Sequence, residues 1–133
     1  NSTAAVTKTA TNLIRFLDDK QQLRCGQPKK FDANNVPIQA DLIDQNDPYG
    51  SLELTGEMMT VSKLLAPVAP VQILCIGLNY RRHAAETKKD IPRNPVLFMK
   101  SINSTLDPFD AIRIPSIASS PAEVDYEGEL AIV

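Results

Sequence analysis

The distribution of proline constrains the fold of this chain more than any other feature of its sequence. Ten prolines occur in 133 residues, which exceeds the ~5% found in average proteins. Most of them separate short apolar runs. Because proline lacks a backbone N–H and biases the preceding residue away from helix, this pattern favours short strands joined by turns. We therefore predict a strand-rich α+β fold.

Apolar runs bounded by turn residues give the positions of the strands. The runs at 13–17 and 22–25 flank Asp18-Asp19-Lys20 and predict a hairpin. Further strands are predicted at 38–43, 61–65, 96–100, 112–114 and 124–133. The strand predicted at 38–43 is followed by turn residues at 44–50.

The run at 71–76 differs from the others because it is almost continuously apolar. Such a run is typical of a central strand that is buried on both faces. Asn79 is a favourable N-cap for a short helix over 80–88, which Pro92 and Pro95 prevent from continuing. We predict a strand, a turn and a helix in that order.

A connector rich in proline divides the chain. The sequence Ala66-Pro67-Val68-Ala69-Pro70 excludes helix and predicts a stiff link. We predict a small β-rich N-terminal region over 1–70 and the first part of a second domain over 71–133. Since the predicted last strand has no turn or polar terminator after it, we expect the natural protein to continue beyond Val133.

Charge and cysteine content exclude several classes of protein. A net charge of −2 provides no general basic field for nucleic acid, and no apolar run approaches the ~20 residues that cross a membrane. Two cysteines and one histidine make neither a disulfide framework nor a four-ligand zinc site, which favours reduced thiols in a cytoplasmic protein. The first eleven residues contain no acid and are compatible with a transit remnant, so a mitochondrial location is the alternative.

Three carboxylates alternate along the last predicted strand. Alternation places Asp125, Glu127 and Glu129 on one face. Oxygen ligands at this spacing suit Mg²⁺ or Mn²⁺. The same pattern is also that of an acidic stripe facing solvent, and the residues alone leave both interpretations open.

His83 and Glu86 lie three residues apart on the predicted helix, on one face. A carboxylate beside an imidazole orients it as a general base for water, although such a pair is also common on helix surfaces. Lys100 ends a predicted strand and either holds an anionic substrate group or extends to solvent. Arg81 and Arg82 either bind a carboxylate or cover the helix exterior.

Four segments together resemble one known family. They are Leu64-Leu65-Ala66-Pro67-Val68, Ile73 to Tyr80 with His83-Ala84 and Glu86, Pro95 to Phe98 with Lys100, and Val124 to Ala131. In this order they resemble the fumarylacetoacetate hydrolase family. The match is strong over about 60–133 and looser before it.

The resemblance implies a mixed β-roll catalytic domain, incomplete in this chain, that commonly forms a homodimer. It implies that Glu127 and Glu129 bind Mg²⁺ or Mn²⁺, that His83 and Glu86 are the catalytic dyad, and that Lys100 lines the pocket. Family members are about twice as long, and their third metal ligand, an aspartate, would fall beyond Val133. We therefore expect the 133-residue chain alone to be inactive. Ser101 follows the lysine where the family often has proline.

For the complete protein the resemblance implies a metal-dependent hydrolase that cleaves a C–C bond of an acylpyruvate-like or fumarylacetoacetate-like 2-oxo or 1,3-dicarbonyl acid. The family also includes decarboxylases of the oxaloacetate type, hydratases and isomerases, which stay open as alternatives. A second alternative is a non-catalytic fragment or partner subunit. The expected partners are the small-molecule substrate and a second copy of the protein, with no nucleic acid and no membrane.

Overall fold

The computed structural model describes residues 8–43, 52–121 and 123–133. The turn predicted at 44–50 and most of the N-terminal tail lie outside these ranges. The chain forms two compact units, one of residues 1–68 with 106–133 and one of residues 69–105. The predicted division into domains at 1–70 and 71–133 stays a prediction.

The first unit contains a five-stranded antiparallel sheet. Its strands are β1 (Ile14–Leu17), β2 (Leu23–Phe31), β3 (Pro37–Ile43), β4 (Leu54–Thr60) and β5 (Lys63–Leu65). Their order across the sheet is β4-β3-β2-β1-β5. The predicted strand-rich fold class is thereby confirmed.

The predicted first hairpin is confirmed, and Asp18 accounts for its turn. The side chain of Asp18 is almost fully buried and accepts hydrogen bonds from the backbone N–H groups of Lys20 and Gln22, each at 2.9 Å. Nε of Arg24 donates to the other carboxylate oxygen at 2.9 Å. The backbone bond from Gln22, followed by the bond from Arg24, lowers the pKa of Asp18 against the opposing effect of burial. One carboxylate therefore satisfies the turn and links it to β2.

Strand β2 is longer than predicted because it continues through Gly26 and Pro28 to Phe31. Its pairing with β3 shifts register between Pro28 and Lys30, and such an irregularity accommodates a residue without an N–H. Gly26 is required by close backbone approach, since a Cβ there would lie 2.5 Å from the carbonyl oxygen of Asp41.

The core of the first unit lies on both faces of its sheet. Adjacent residues Leu42 and Ile43 belong to different apolar clusters, one around Phe16 and one around Cys25. Side chains of adjacent strand residues point to opposite faces. Strand β4, which was not predicted, covers part of this core although Thr55-Gly56-Glu57 interrupts its apolar pattern.

The second unit contains β6 (Ile73–Gly77), helix α1 (Arg81–Glu86) and β7 (Val96–Lys100). The two strands pair antiparallel and form a sheet of their own. The strands predicted at 71–76 and 96–100 are confirmed in place, but burial of the first on both faces is wrong. Leu74 is 56% exposed and Ile76 37% exposed, because among the described residues β6 pairs with β7 alone.

The strands predicted at 112–114 and 124–133 are wrong. The described backbone is irregular in both ranges. Two 3₁₀ turns lie outside them, at Ile102–Ser104 after β7 and at Ser116–Ala118. The edge strands of the first sheet are β4 and β5, and the second sheet consists of β6 and β7. Neither 112–114 nor 124–133 therefore pairs with a described strand. An alternating pattern becomes a strand only where a neighbouring strand supplies hydrogen-bond partners.

Within the described ranges, every helix falls short of the length and hydropathy needed to cross a membrane.

Candidate active site

Helix α1 carries both residues of the predicted dyad, and three residues separate it from the end of β6. Its N-cap is Tyr80, in an extended conformation with φ −112° and ψ 121°, so the prediction of Asn79 as N-cap is wrong by one residue. The connection passes through Leu78, which has a φ of 52°. This left-handed residue turns the chain from strand into helix and moves the helix start to Arg81.

The C-terminal end of α1 is set by Lys88, which was not foreseen. Lys88 has a φ of 53°, and its N–H donates to Ala85 at 3.1 Å while the N–H of Lys89 donates to Ala84 at 2.9 Å. These two bonds form a Schellman motif, with lysine where glycine is usual. The helix therefore ends at Glu86, before the predicted limit at 88 and well before Pro92.

The structure brings His83 and Glu86 together. Nδ1 of His83 lies 4.0 Å from Oε2 of Glu86, and their side chains are 40% and 75% exposed. This separation is an ion-pair distance when the imidazole is protonated and is longer than a hydrogen bond. The carbonyl of His83 accepts from the N–H of Thr87 at 3.0 Å and from its hydroxyl at 2.9 Å. The backbone of His83 is thus fixed, and its side chain is partly exposed.

Lys100 lies at the far end of the two-stranded sheet from α1. It pairs with Ile73, whereas Gly77, which leads into the helix, pairs with Val96. Four residue-to-residue steps along the strand separate the two ends, or about 13 Å. Its side chain is exposed. The strand pairing by itself therefore does not bring Lys100 to the dyad.

Glu127 and Glu129 lie in the irregular segment at 123–133, and both are exposed. The carboxylate of Asp125 accepts a hydrogen bond from the N–H of Tyr126 at 2.8 Å. Within the described ranges no three His, Cys, Asp or Glu side chains cluster as a metal site. The donors are nevertheless carboxylate oxygens, which fit the preference of Mg²⁺ and Mn²⁺. In chemistry, the two glutamates are therefore suitable ligands for such an ion.

Arg81 and Arg82 precede His83 on α1, and both are exposed.

Asp107 is a residue that sequence reasoning missed: it accepts hydrogen bonds from the backbone of Ala66 and from Lys63. The Asp107-Pro108 pair marks a turn, but the partner residues lie more than 40 positions earlier. Only the folded chain reveals that contact.

Comparison with known proteins gives a family for the C-terminal part. Residues 72–133 match the model of the fumarylacetoacetate hydrolase C-terminal domain. The matched range includes α1, Lys100 and both glutamates. No solved structure matches the chain significantly.

Three curated relatives illustrate the similarity. A caffeoylpyruvate hydrolase from Neonothopanus nambi is 34% identical over 98% of this chain and 50% of its own length. A fumarylacetoacetate hydrolase domain-containing protein 2 homolog from Dictyostelium discoideum is 48% identical over 53% of the chain and 22% of its own. A mitochondrial oxaloacetate tautomerase from Xenopus laevis is 45% identical over 53% and 21%. The chain spans half or less of the length of each relative.

Proposed function

The chain belongs to the fumarylacetoacetate hydrolase family, and on that premise we propose that the whole protein is a metal-dependent enzyme of small 2-oxo acids. Its proposed reaction is hydrolysis of a C–C bond in an acylpyruvate-like or fumarylacetoacetate-like acid. The observation that carries this proposal is the pairing of His83 with Glu86 on α1, with 4.0 Å between Nδ1 and Oε2. The relative named caffeoylpyruvate hydrolase supports the reaction class.

His83 is the proposed general base. Neutral imidazole takes a proton from water, and the resulting hydroxide adds to the carbonyl carbon distal to the carboxylate. The C–C bond then breaks, and its electron pair passes to the 2-oxo fragment as an enolate. The proton held by His83 returns to that fragment, so the products are a carboxylic acid and a 2-oxo acid, with atoms balanced by one water.

Glu86 is the proposed partner of the base. A carboxylate at ion-pair distance stabilises the imidazolium that forms once His83 has accepted the proton. The 4.0 Å separation shortens to a hydrogen bond in our proposal when substrate binds, since catalytic contacts are often long before that step. Glu86 thereby favours proton uptake without itself contacting the substrate.

Glu127 and Glu129 are the proposed ligands of Mg²⁺ or Mn²⁺. Such an ion, when bound, supplies Lewis-acid stabilisation of negative charge on the oxo and carboxylate oxygens of the substrate. Lys100 is proposed to hold an anionic group of the substrate through its ammonium. These assignments come from the family motif, and the carboxylate chemistry of the two glutamates supports them.

A second candidate is keto–enol tautomerisation of a 2-oxo diacid, since the Xenopus laevis relative is named an oxaloacetate tautomerase. In that reaction His83 moves one proton from the carbon beside the oxo group to its oxygen, and no water is consumed. Decarboxylation and hydration belong to the same enolate chemistry. We propose a homodimer in the cytoplasm, and the mitochondrial location in the name of the tautomerase supports the alternative compartment.

The test uses the purified full-length protein with Mg²⁺ or Mn²⁺. An acylpyruvate and oxaloacetate are assayed in parallel, following pyruvate release for the first and both enol absorbance and CO₂ for the second. Hydrolysis of the acylpyruvate supports the first candidate, and tautomerisation alone supports the second. Turnover of neither substrate, with the metal bound, would contradict both and favour a non-catalytic subunit.

A further inference from the structure

Residues 69–105 form an insertion within the first unit. The chain leaves that unit after Val68 and re-enters it at Leu106. Close to these two points, Oδ1 of Asp107 accepts a hydrogen bond from the backbone N–H of Ala66 at 2.8 Å, across 41 residues of sequence. Both residues belong to the first unit. A single side chain thus joins the two first-unit segments that flank the insertion.

Ala66 is itself held to the edge of the five-stranded sheet. It follows β5 directly, and β5 pairs with β1 through Leu65 and Arg15. Nη1 of Arg15 donates to the carbonyl of Ala66 at 2.8 Å, and Ala66 is buried. The N–H and the carbonyl of Ala66 are therefore both hydrogen-bonded to side chains, and the N–H would lose its partner without Asp107.

The second carboxylate oxygen of Asp107 is also bonded to β5. Nζ of Lys63 lies 3.1 Å from Oδ2 of Asp107 and 3.5 Å from Oδ2 of Asp110. The N–H of Asp110 donates to the carbonyl of Asp107 at 3.2 Å, which closes the turn that brings both acids toward the lysine. The backbone bond from Ala66 and then the bond from Lys63 lower the pKa of Asp107. Asp107 is therefore charged at neutral pH.

We propose that Asp107 is a positioning residue: it joins the two first-unit segments from which residues 69–105 leave and to which they return, and so restrains the part of the chain that carries His83, Glu86 and Lys100. The role in turnover rests on the proposed function. Closing a loop of about 40 residues has an entropic cost, which contacts at its base must offset. Asp107 supplies two such contacts through one carboxylate.

The experiment compares three variants of the full-length protein. Asp107→Ala removes both contacts. Asp107→Asn keeps an oxygen for the N–H of Ala66 but loses the charge that pairs with Lys63. Asp110→Asn is the matched control, because it removes one nearby charge and leaves the bond to Ala66 in place. Hydrogen exchange of backbone amides and steady-state kinetics with an acylpyruvate are measured for each.

We expect Asp107→Ala to raise amide exchange about tenfold in residues 69–105 while β1 to β3 stay protected. Loss of geometry should lower kcat by up to about 10²-fold, with a smaller change in KM. The exchange rate and kcat of Asp107→Asn should lie between those of Asp107→Ala and the wild type. Asp110→Asn should match the wild type in both quantities.

A merely structural role would give a different result. Exchange that rises equally in β1 to β3, or that stays unchanged in 69–105, would overturn the proposal. Unchanged kcat in Asp107→Ala despite faster exchange in 69–105 would overturn the positioning role. If the wild type turns over no substrate, the proposed function has failed, and exchange, which needs no substrate, still decides whether Asp107 holds the insertion.

Discussion

Nδ1 of His83 and Oε2 of Glu86 lie 4.0 Å apart on α1, one turn from each other. His83→Ala should abolish hydrolysis of an acylpyruvate, and Glu86→Gln should lower kcat by about 10²–10⁴-fold because the imidazolium loses its counter-charge. Asp90→Asn, an exposed carboxylate outside the helix, is the control and should retain wild-type rates. Full hydrolytic activity in His83→Ala would remove His83 from the mechanism.

The pH dependence should follow the same residue. A general base must be unprotonated to accept a proton from water, so kcat/KM should fall on the acid side of the pH profile. Measurement of kcat/KM between pH 5 and 8, about the range in which histidine titrates, tests this. A rate that stays constant through that range would contradict a histidine base.

The two glutamates are predicted to bind the metal ion. Glu127→Gln and Glu129→Gln should each weaken Mn²⁺ binding by at least about tenfold, because an amide oxygen is a poorer ligand than a carboxylate. Asp125→Asn is the matched control, because it removes a carboxylate two residues from Glu127 that is not a proposed ligand, and it should bind Mn²⁺ like the wild type. Calorimetric titration of Mn²⁺ measures all three. A stronger effect at Asp125 would show that the ligands are misassigned.

Lys100 is predicted to recognise an anionic group of the substrate. Lys100→Met should raise KM by about 10–100-fold, the usual contribution of a hydrogen bond to a charged group. Lys89→Met, an exposed lysine of the same unit, serves as control and should leave KM unchanged. Since the strand pairing places Lys100 at the end of the sheet opposite α1, an unaltered KM in Lys100→Met would assign it to solvent.

Asp18 should stabilise the first hairpin in a manner that depends on pH. Its pKa is lowered below the ordinary value of 3.8, so the native state favours the ionised form. The resulting stability is present above the ordinary pKa and is lost as the pH falls through the lowered one. Asp18→Asn should therefore lower the melting temperature at pH 7 and reduce its decline in acid. Asp19→Asn removes an exposed neighbouring charge and should change neither, and equal effects of the two substitutions would refute the role of Asp18.

Gly26 should tolerate no side chain. A Cβ at this position would lie 2.5 Å from the carbonyl oxygen of Asp41, whereas one at Gly128 has no atom within 4 Å. Gly26→Ala should reduce the free energy of unfolding by about 1–3 kcal/mol, as overpacking typically does, and Gly128→Ala should change it little. Denaturant unfolding monitored by circular dichroism measures both. Equal stability of the two variants would contradict the close approach of β2 and β3.

Several elements were predictable because their signals are local. The Asp18 turn between two apolar runs predicted the first hairpin, and the apolar run ending at Gly77 predicted a strand followed by a helix. Both depend on backbone preferences within a few residues. The placement of His83 and Glu86 on one helix face was likewise predictable, because residues three apart in a helix share a face.

Errors in prediction arose where a distant partner decides the outcome. The pattern at 124–133 alternates like a strand, but no described sheet includes it. Strand β4 forms despite Gly56, because β3 supplies its ladder and its core contact. The end of α1 depends on the left-handed conformation of Lys88, which lysine has no intrinsic tendency to adopt.

The amino-acid sequence by itself determined the strand-rich class, the strand-turn-helix segment of α1 and the identity of the residues proposed for catalysis. Tertiary structure alone decided the order β4-β3-β2-β1-β5, the place of Lys100 beside Ile73 and the contact of Asp107 with Ala66. Local preferences act between residues close in sequence. Strand pairing and carboxylate contacts across 41 residues depend on which chain segments meet, and that is settled only by the burial and hydrogen bonding of the whole folded chain.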